Sequence, residues 1–185
     1  MIKILNCNNK KYKQKIINFL AKRRSDENYN VKKVSKIIKD IKINKLRALL
    51  KYEIRFSKNR EIYISKDEIK QCIKKLSPSV KRAIDFSYLR IMRFHKKQVK
   101  ELRNLIYKDI YKNKLEYRYA PIEAVGFYVP GNLPSTLLMN TIPAKLAKVK
   151  RLVLATPKIN GEYNPAILYA AKKVGINEIY SMGGA

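Results

Sequence analysis

The sequence predicts an α/β protein, and three observations carry that prediction. Apolar residues recur at helical spacing from Val34 to about Lys108. From Pro121 onward, short apolar runs alternate with stretches that open on Asn or Pro and close on Gly. The change of regime falls near residue 120. The expected architecture is a mainly helical N-terminal region, residues 1–120, followed over residues 121–185 by a strand-helix-strand-helix-strand unit, the first half of an incomplete parallel-sheet domain. A parallel sheet needs helices on both faces and partners for its edges, and here the pattern stops at Gly183-Gly184-Ala185. The chain is therefore expected to be part of a larger enzyme.

In the front, Val34, Ile37, Ile38 and Ile41 sit at i, i+3, i+4 and i+7, followed by Leu49 and Leu50. This is an amphipathic helix with lysines outside and a stripe that should face a core. After Phe56, the alternating Ile62 and Ile64 predict a short strand. Ser65-Lys66-Asp67-Glu68 is a capping box: the serine caps the first turn and Glu68 reaches back. Ile69, Cys72, Ile73 and Leu76 form the buried side of that helix, and Ser77-Pro78 ends it and opens another with Pro at the first position. Ile84, Tyr88, Ile91, His95 and Leu102, flanked by Leu89, Met92 and Val99, predict one long helix from about Pro78 to about Lys108.

The second regime starts with a buried-strand candidate, Ala124 to Val129, ended sharply by Pro130-Gly131-Asn132. Ser135 or Thr136 is the expected cap of a helical piece, Leu137 to Asn140, and Pro143 should begin a second piece, Ala144 to Val149, across a kink. Arg151 to Ala155 is the next strand and Thr156 to Gly161 a loop. Asn164 caps a helix opened by Pro165 and closed by Gly175, with Lys172 and Lys173 offsetting its dipole. Ile176 to Met182 gives a third strand, and Gly183-Gly184 a turn at its carboxyl end, where open α/β sheets place ligands. The unit reads as Rossmann-like.

The 185 residues carry a net charge of +28, and 121–185 hold only seven basic and three acidic residues, so +24 of the excess lies in the helical front. Such a chain binds polyanions nonspecifically at low salt. The excess is mostly lysine, spread over many helix faces, and no recognised nucleic-acid motif accompanies it. Lys, Ile, Asn and Tyr are abundant together and share AT-rich codons, which favours compositional drift over a selected nucleic-acid role. No apolar run approaches the roughly 20 residues of a membrane helix. The N-terminus turns polar at once, without a secretory signal, so a cytoplasmic location is expected. Cys7 and Cys72 are far apart, and Cys72 falls on an apolar helix face, as a buried free thiol would. His95, the single histidine, lies on a helix stripe, the usual place of a hydrogen-bonded packing residue rather than a metal ligand or catalyst.

Spacing alone says little about chemistry. Pro130-Gly131-Asn132 and Gly183-Gly184 would let backbone approach a phosphate or ring, but neither is a dinucleotide fingerprint or phosphate loop. Tyr128, at its strand end, is placed either to stack on a ligand ring or to fill the core, and spacing favours the core.

The run from Pro121-Ile122-Glu123-Ala124-Val125-Gly126-Phe127-Tyr128-Val129-Pro130-Gly131 to Pro134-Ser135-Thr136-Leu137-Leu138-Met139-Asn140-Thr141-Ile142-Pro143-Ala144-Lys145 resembles the N-terminal half of histidinol dehydrogenase. So do Leu154-Ala155-Thr156-Pro157, Asn164-Pro165-Ala166-Ile167-Leu168 and Ile179-Tyr180-Ser181-Met182-Gly183-Gly184-Ala185, in order and spacing. The front resembles it more loosely, through Ala48-Leu49-Leu50-Lys51-Tyr52, Phe56 and Asp67-Glu68-Ile69. The resemblance implies a zinc-dependent homodimer that oxidises L-histidinol through an aldehyde to L-histidine, reducing two NAD at one site beside an incomplete Rossmann-like domain. It implies that Tyr128, in the Gly-x-Tyr-x-Pro-Gly motif, helps bind NAD. It implies that the zinc ligands and the Glu-His pair that moves protons lie in the family's second half, so this chain is expected to be an inactive or split form, with no catalytic or metal residue of its own and a possible partner chain supplying them. His95 matches a family position that is not a ligand. A basic scaffold that binds nucleic acid nonspecifically is the alternative.

The chain departs from the family pattern in places. Asn132 stands where a second glycine is usual, and the following loop is about three residues shorter. Lys45-Leu46-Arg47-Ala48 replaces a helix end that is usually Gly-Asp before Ala-Leu, so the family's turn is expected to be lost there. Ser57 replaces the Asp that commonly follows Phe56.

Overall fold

Local signals fix most of the helix starts. The computed structural model describes residues 12–101 and 104–183, and by compactness it divides into a unit of residues 1–49 and a unit of residues 50–185. Cys7, Leu102, Gly184 and Ala185 lie outside the described residues. Helix α1 runs Tyr12–Ser57, but Lys45 within it holds φ 48°, ψ −128°, so two helical segments meet at a kink. A break thus persists where the sequence predicted continuation. The Val34–Ile41 stripe is only partly covered: Ile37 and Ile41 are half-buried, whereas Val34 is 51% and Ile38 47% exposed.

The larger unit is built on capped helices. Helix α2, Lys66–Lys74, has the full capping box: Ser65 Oγ accepts from the Glu68 N–H at 3.2 Å, and Glu68 Oε2 accepts from the Ser65 N–H at 2.8 Å. The Ser65 hydroxyl also donates to Glu68 Oε2 at 2.7 Å, and that bond first, then the one from the Ser65 N–H, holds the Glu68 carboxyl below its ordinary pKa. Helix α3, Pro78–Glu101, starts at the predicted proline but stops before the predicted end. Residues expected to continue it form strand β1, Leu105–Lys108, which pairs antiparallel with β2, Lys114–Tyr117. The reason is the turn between them. Asp109 accepts from the N–H groups of Tyr111 and Asn113 at 2.9 and 2.8 Å and from the Asn113 side chain at 2.8 Å, a local bonding pattern that competes with helix.

Strands β3, Ala124–Tyr128, β4, Arg151–Ala155, and β5, Glu178–Tyr180, form a parallel sheet in the order β3-β4-β5, with Val125 opposite Leu152 and Leu154 opposite Ile179. The predicted strand at Ile62–Ile64 is reduced to a single antiparallel bridge from Tyr63 to Tyr180, beside β5, reinforced by the Ser181 N–H donating to Ile62 O at 2.7 Å. Helix α4, Pro134–Leu146, is one helix, not two pieces, and Leu133 rather than Ser135 or Thr136 is its N-cap, without a side-chain cap. Pro143 deprives only the Met139 carbonyl of its donor, and Thr141 Oγ1 bonds back to Leu137 O at 2.7 Å, which bends a helix without breaking it. Helix α5, Pro165–Val174, is capped as predicted: Asn164 accepts from the Ala166 N–H, and Gly175 closes it at φ 93°.

The core lies between the sheet and its helices. Leu137, Leu138 and Ile142 from α4, Ile167, Leu168 and Val174 from α5, Leu154 and Ile179 from the sheet, and Ile73 and Ile84 from α2 and α3 form one buried cluster. Burying a side chain of this size contributes about 1.5–3 kcal/mol. Tyr169 donates to Asp85 at 3.1 Å and Lys173 pairs with it at 2.8 Å, tying α5 to α3 on the rim of that core. Arg151 forks onto Glu178 at 2.9 and 2.7 Å and joins the amino ends of β4 and β5.

Candidate cofactor site

Parallel strands end their carboxyl termini along one edge, and that edge collects the residues of interest. At the end of β3 the backbone pairs once more, Val129 N–H to Ala155 O at 3.0 Å, and then turns through Pro130-Gly131, closed by the Leu133 N–H donating to Pro130 O at 3.1 Å. Gly131 is needed there for space: a Cβ would lie 2.8 Å from Pro157 O and 2.9 Å from Ile159 Cγ1. At the end of β4 the Thr156 N–H donates to Tyr180 O at 2.9 Å. Thr156 is 3% exposed, and its Oγ1 has no hydrogen-bond partner among the described residues.

Tyr128 stands on this edge with 56% of its surface exposed. Spacing favoured a core residue; alternation along β3 instead turns Val125 and Phe127 inward and leaves Tyr128 outside. The ring rests on Gly183, where a Cβ would be 3.0 Å from both Tyr128 Cε2 and Pro157 Cβ. The segment carrying Gly183 is held from below. Its N–H donates to Glu53 Oε1 at 3.0 Å, and the Asn59 side chain donates to Ser181 O at 2.6 Å and Ser181 Oγ at 3.1 Å. Glu53, Asn59 and Ser181 are all buried. Sequence reading missed Glu53 and Asn59; the available signal was a carboxylate on the inward side of a helix, one turn after Leu49 and Leu50.

The remaining candidates sit elsewhere. His95 is half-buried on α3, with Nδ1 2.6 Å from Gln98 Oε1 and its ring edge-on to Phe94, as a hydrogen-bonded helix-face residue should be. Cys72 is a free, half-buried thiol on α2 that donates to Tyr163 O at 3.4 Å, and burial pushes its pKa up, away from a reactive thiolate. Among the described residues no group of three or more His, Cys, Asp or Glu is placed to hold a metal ion. No helix among them is long and apolar enough to cross a membrane.

An exposed aromatic ring and two tightly packed glycines at the carboxyl ends of three parallel strands mark one edge of an open α/β protein. Known proteins resemble it closely enough to place it further. A profile of the histidinol dehydrogenase family matches residues 20–185. The histidinol dehydrogenase of Pelagibacter ubique is 50% identical over the whole chain, and that of Rhodospirillum rubrum 37% identical over 82% of it. The crystal structure of histidinol dehydrogenase from Elizabethkingia anophelis superposes on 81% of the chain with a TM-score of 0.74 at 37% identity. The chain belongs to the histidinol dehydrogenase family, a family of oxidoreductases. It spans 43% of the length of the first relative and 36% of the length of the other two.

Proposed function

We propose that this chain supplies the cofactor side of a histidinol dehydrogenase, acting in the cytoplasm to oxidise L-histidinol to L-histidine, and that Tyr128 contacts NAD. The observation that carries the reading is the exposed Tyr128 ring at the carboxyl end of β3, seated on Gly183 and Pro157. The residues on this edge suit a flat ligand. Tyr128 offers a ring face for stacking, and Gly131 and Gly183 keep the neighbouring backbone low. Bound NAD would accept hydride. In this reading the zinc ligands and the proton-moving pair lie in the part of the family's length that this chain does not span, and the working assembly is a homodimer, as the family resemblance implies.

Two measurements test this. NAD titration followed by saturation-transfer NMR should show binding to the parent chain and roughly tenfold weaker binding to Tyr128→Ala, the scale of a lost stacking contact. No binding by the parent, or none of it sensitive to Tyr128, refutes the cofactor reading. Incubation of the chain with histidinol, NAD and zinc should yield no NADH, and turnover would refute the placing of the zinc ligands and proton-moving pair in the family's other half. The net charge of +28 favours one other reading, a basic scaffold that holds nucleic acid. Affinity that collapses with salt and ignores sequence would mark it as nonspecific lysine binding.

A further inference from the structure

We infer that Glu53 is a positioning residue for the Tyr128 edge, an inference that rests on the cofactor reading above. Glu53 sits in the last turns of α1, 1% exposed, and places a carboxylate against the backbone of the 181–183 segment. A buried carboxyl group is costly unless hydrogen bonds satisfy it, so a polar side chain kept at such a position is held there by what it binds. One of the groups it binds is the Gly183 N–H. The two residues before it are fixed separately: Asn59 holds the Ser181 carbonyl and hydroxyl, and Ile62 O accepts the Ser181 N–H. Ser181 is thereby the anchor and Gly183 the point that Glu53 adjusts.

Gly183 has no slack toward the site. The space a Cβ would need is already filled by the edge of the Tyr128 ring and by Pro157. A shift of Gly183 toward the ring forces the ring to turn, and a shift away removes the floor it rests on. The carboxylate therefore sets the pose of an exposed aromatic from beneath, without touching a ligand itself. Asn59 cooperates, since its N–H donates to the Glu53 carbonyl at 3.3 Å and so couples the loop after α1 to the same helix end.

The test compares the parent chain with Glu53→Gln, Glu53→Asp, Glu53→Ala and Tyr128→Ala. Three quantities are read: hydrogen exchange of the Gly183 amide, the ring resonances of Tyr128, and NAD affinity. Glu53→Gln keeps an acceptor oxygen and should leave affinity within about threefold. Glu53→Ala should expose the Gly183 amide to exchange, move the Tyr128 ring signals and weaken NAD roughly tenfold. Should that variant fail to fold, Glu53→Asp, shorter by one methylene, is expected to show the same changes in smaller measure. A lower melting temperature with Gly183 protection, Tyr128 resonances and NAD affinity all unchanged would reduce Glu53 to a packing role and overturn the inference. If Tyr128→Ala loses NAD while every Glu53 variant keeps it, the inference falls and the cofactor reading stands. If the parent does not bind NAD, both fall.

Discussion

Lys45 occupies a backbone conformation that glycine tolerates and lysine does not. Its φ of 48° with ψ of −128° puts Cβ against its own backbone, and strain of this kind costs about 1–3 kcal/mol. Replacing it by glycine removes the clash but adds freedom to the unfolded chain worth about 0.5–1 kcal/mol. Lys45→Gly should therefore stabilise the chain by about 1 kcal/mol, raising the melting temperature by about 2–4 °C for a chain of this size. Lys45→Ala keeps the Cβ and the strain, and should change stability by less than about 0.5 kcal/mol. Urea denaturation followed by far-UV circular dichroism reads both. A helix running unbroken through residue 45 would give the opposite order, with glycine costing about 1 kcal/mol and alanine neutral or better. That order would refute the kink.

Gly131→Ala drives a methyl to within 2.8 Å of the Pro157 carbonyl and should cost about 1–3 kcal/mol, read as a lower urea midpoint. Ser65→Ala removes the serine half of the α2 capping box and should cost about 0.5–2 kcal/mol by the same measurement. Asp85 is held below its ordinary pKa, first by the hydrogen bond from Lys173, so its contribution is present above the ordinary carboxylate value and fades as pH falls through the lowered one. Lys173 is raised by the same pair, so its contribution is present below the ordinary lysine value and fades as pH rises through the raised one. Asp85→Asn should flatten stability against pH at the acid end by at most about 1 kcal/mol, because both partners are more than a third exposed.

Elements with a local signature were readable from the sequence. Ser65 with Glu68 and Asn164 with Pro165 and Gly175 name their own boundaries, and the three apolar runs locate the strands, although β5 is shorter than the predicted Ile176 to Met182. The failures share a different cause. Among the described residues, Lys45, Lys58, Lys112 and Lys148 hold positive φ, and lysine there gives no warning of the α1 kink, the end of α1, the β1-β2 turn or the end of α4. Continuity of α4 through Pro143 depends on Thr141 and on burial of Leu137, Leu138 and Ile142, which spacing does not reveal. At the candidate site, only family resemblance singled out Tyr128 as a proposed ligand contact. Glu53 and Asn59 act across more than 120 residues of sequence, and no local pattern encodes that pairing.

The β1-β2 ribbon has a colloidal consequence. Leu105, Tyr107, Leu115 and Tyr117 share one of its faces, all more than half exposed, while Ile106, Lys108, Lys114 and Glu116 share the other. A face of that kind is sticky, and a net charge of +28 on every copy holds copies apart. The repulsion reaches about 30 Å at 0.01 M salt but only about 3 Å at 1 M. Ionic strength, rather than temperature, should therefore decide whether solutions of this protein stay clear.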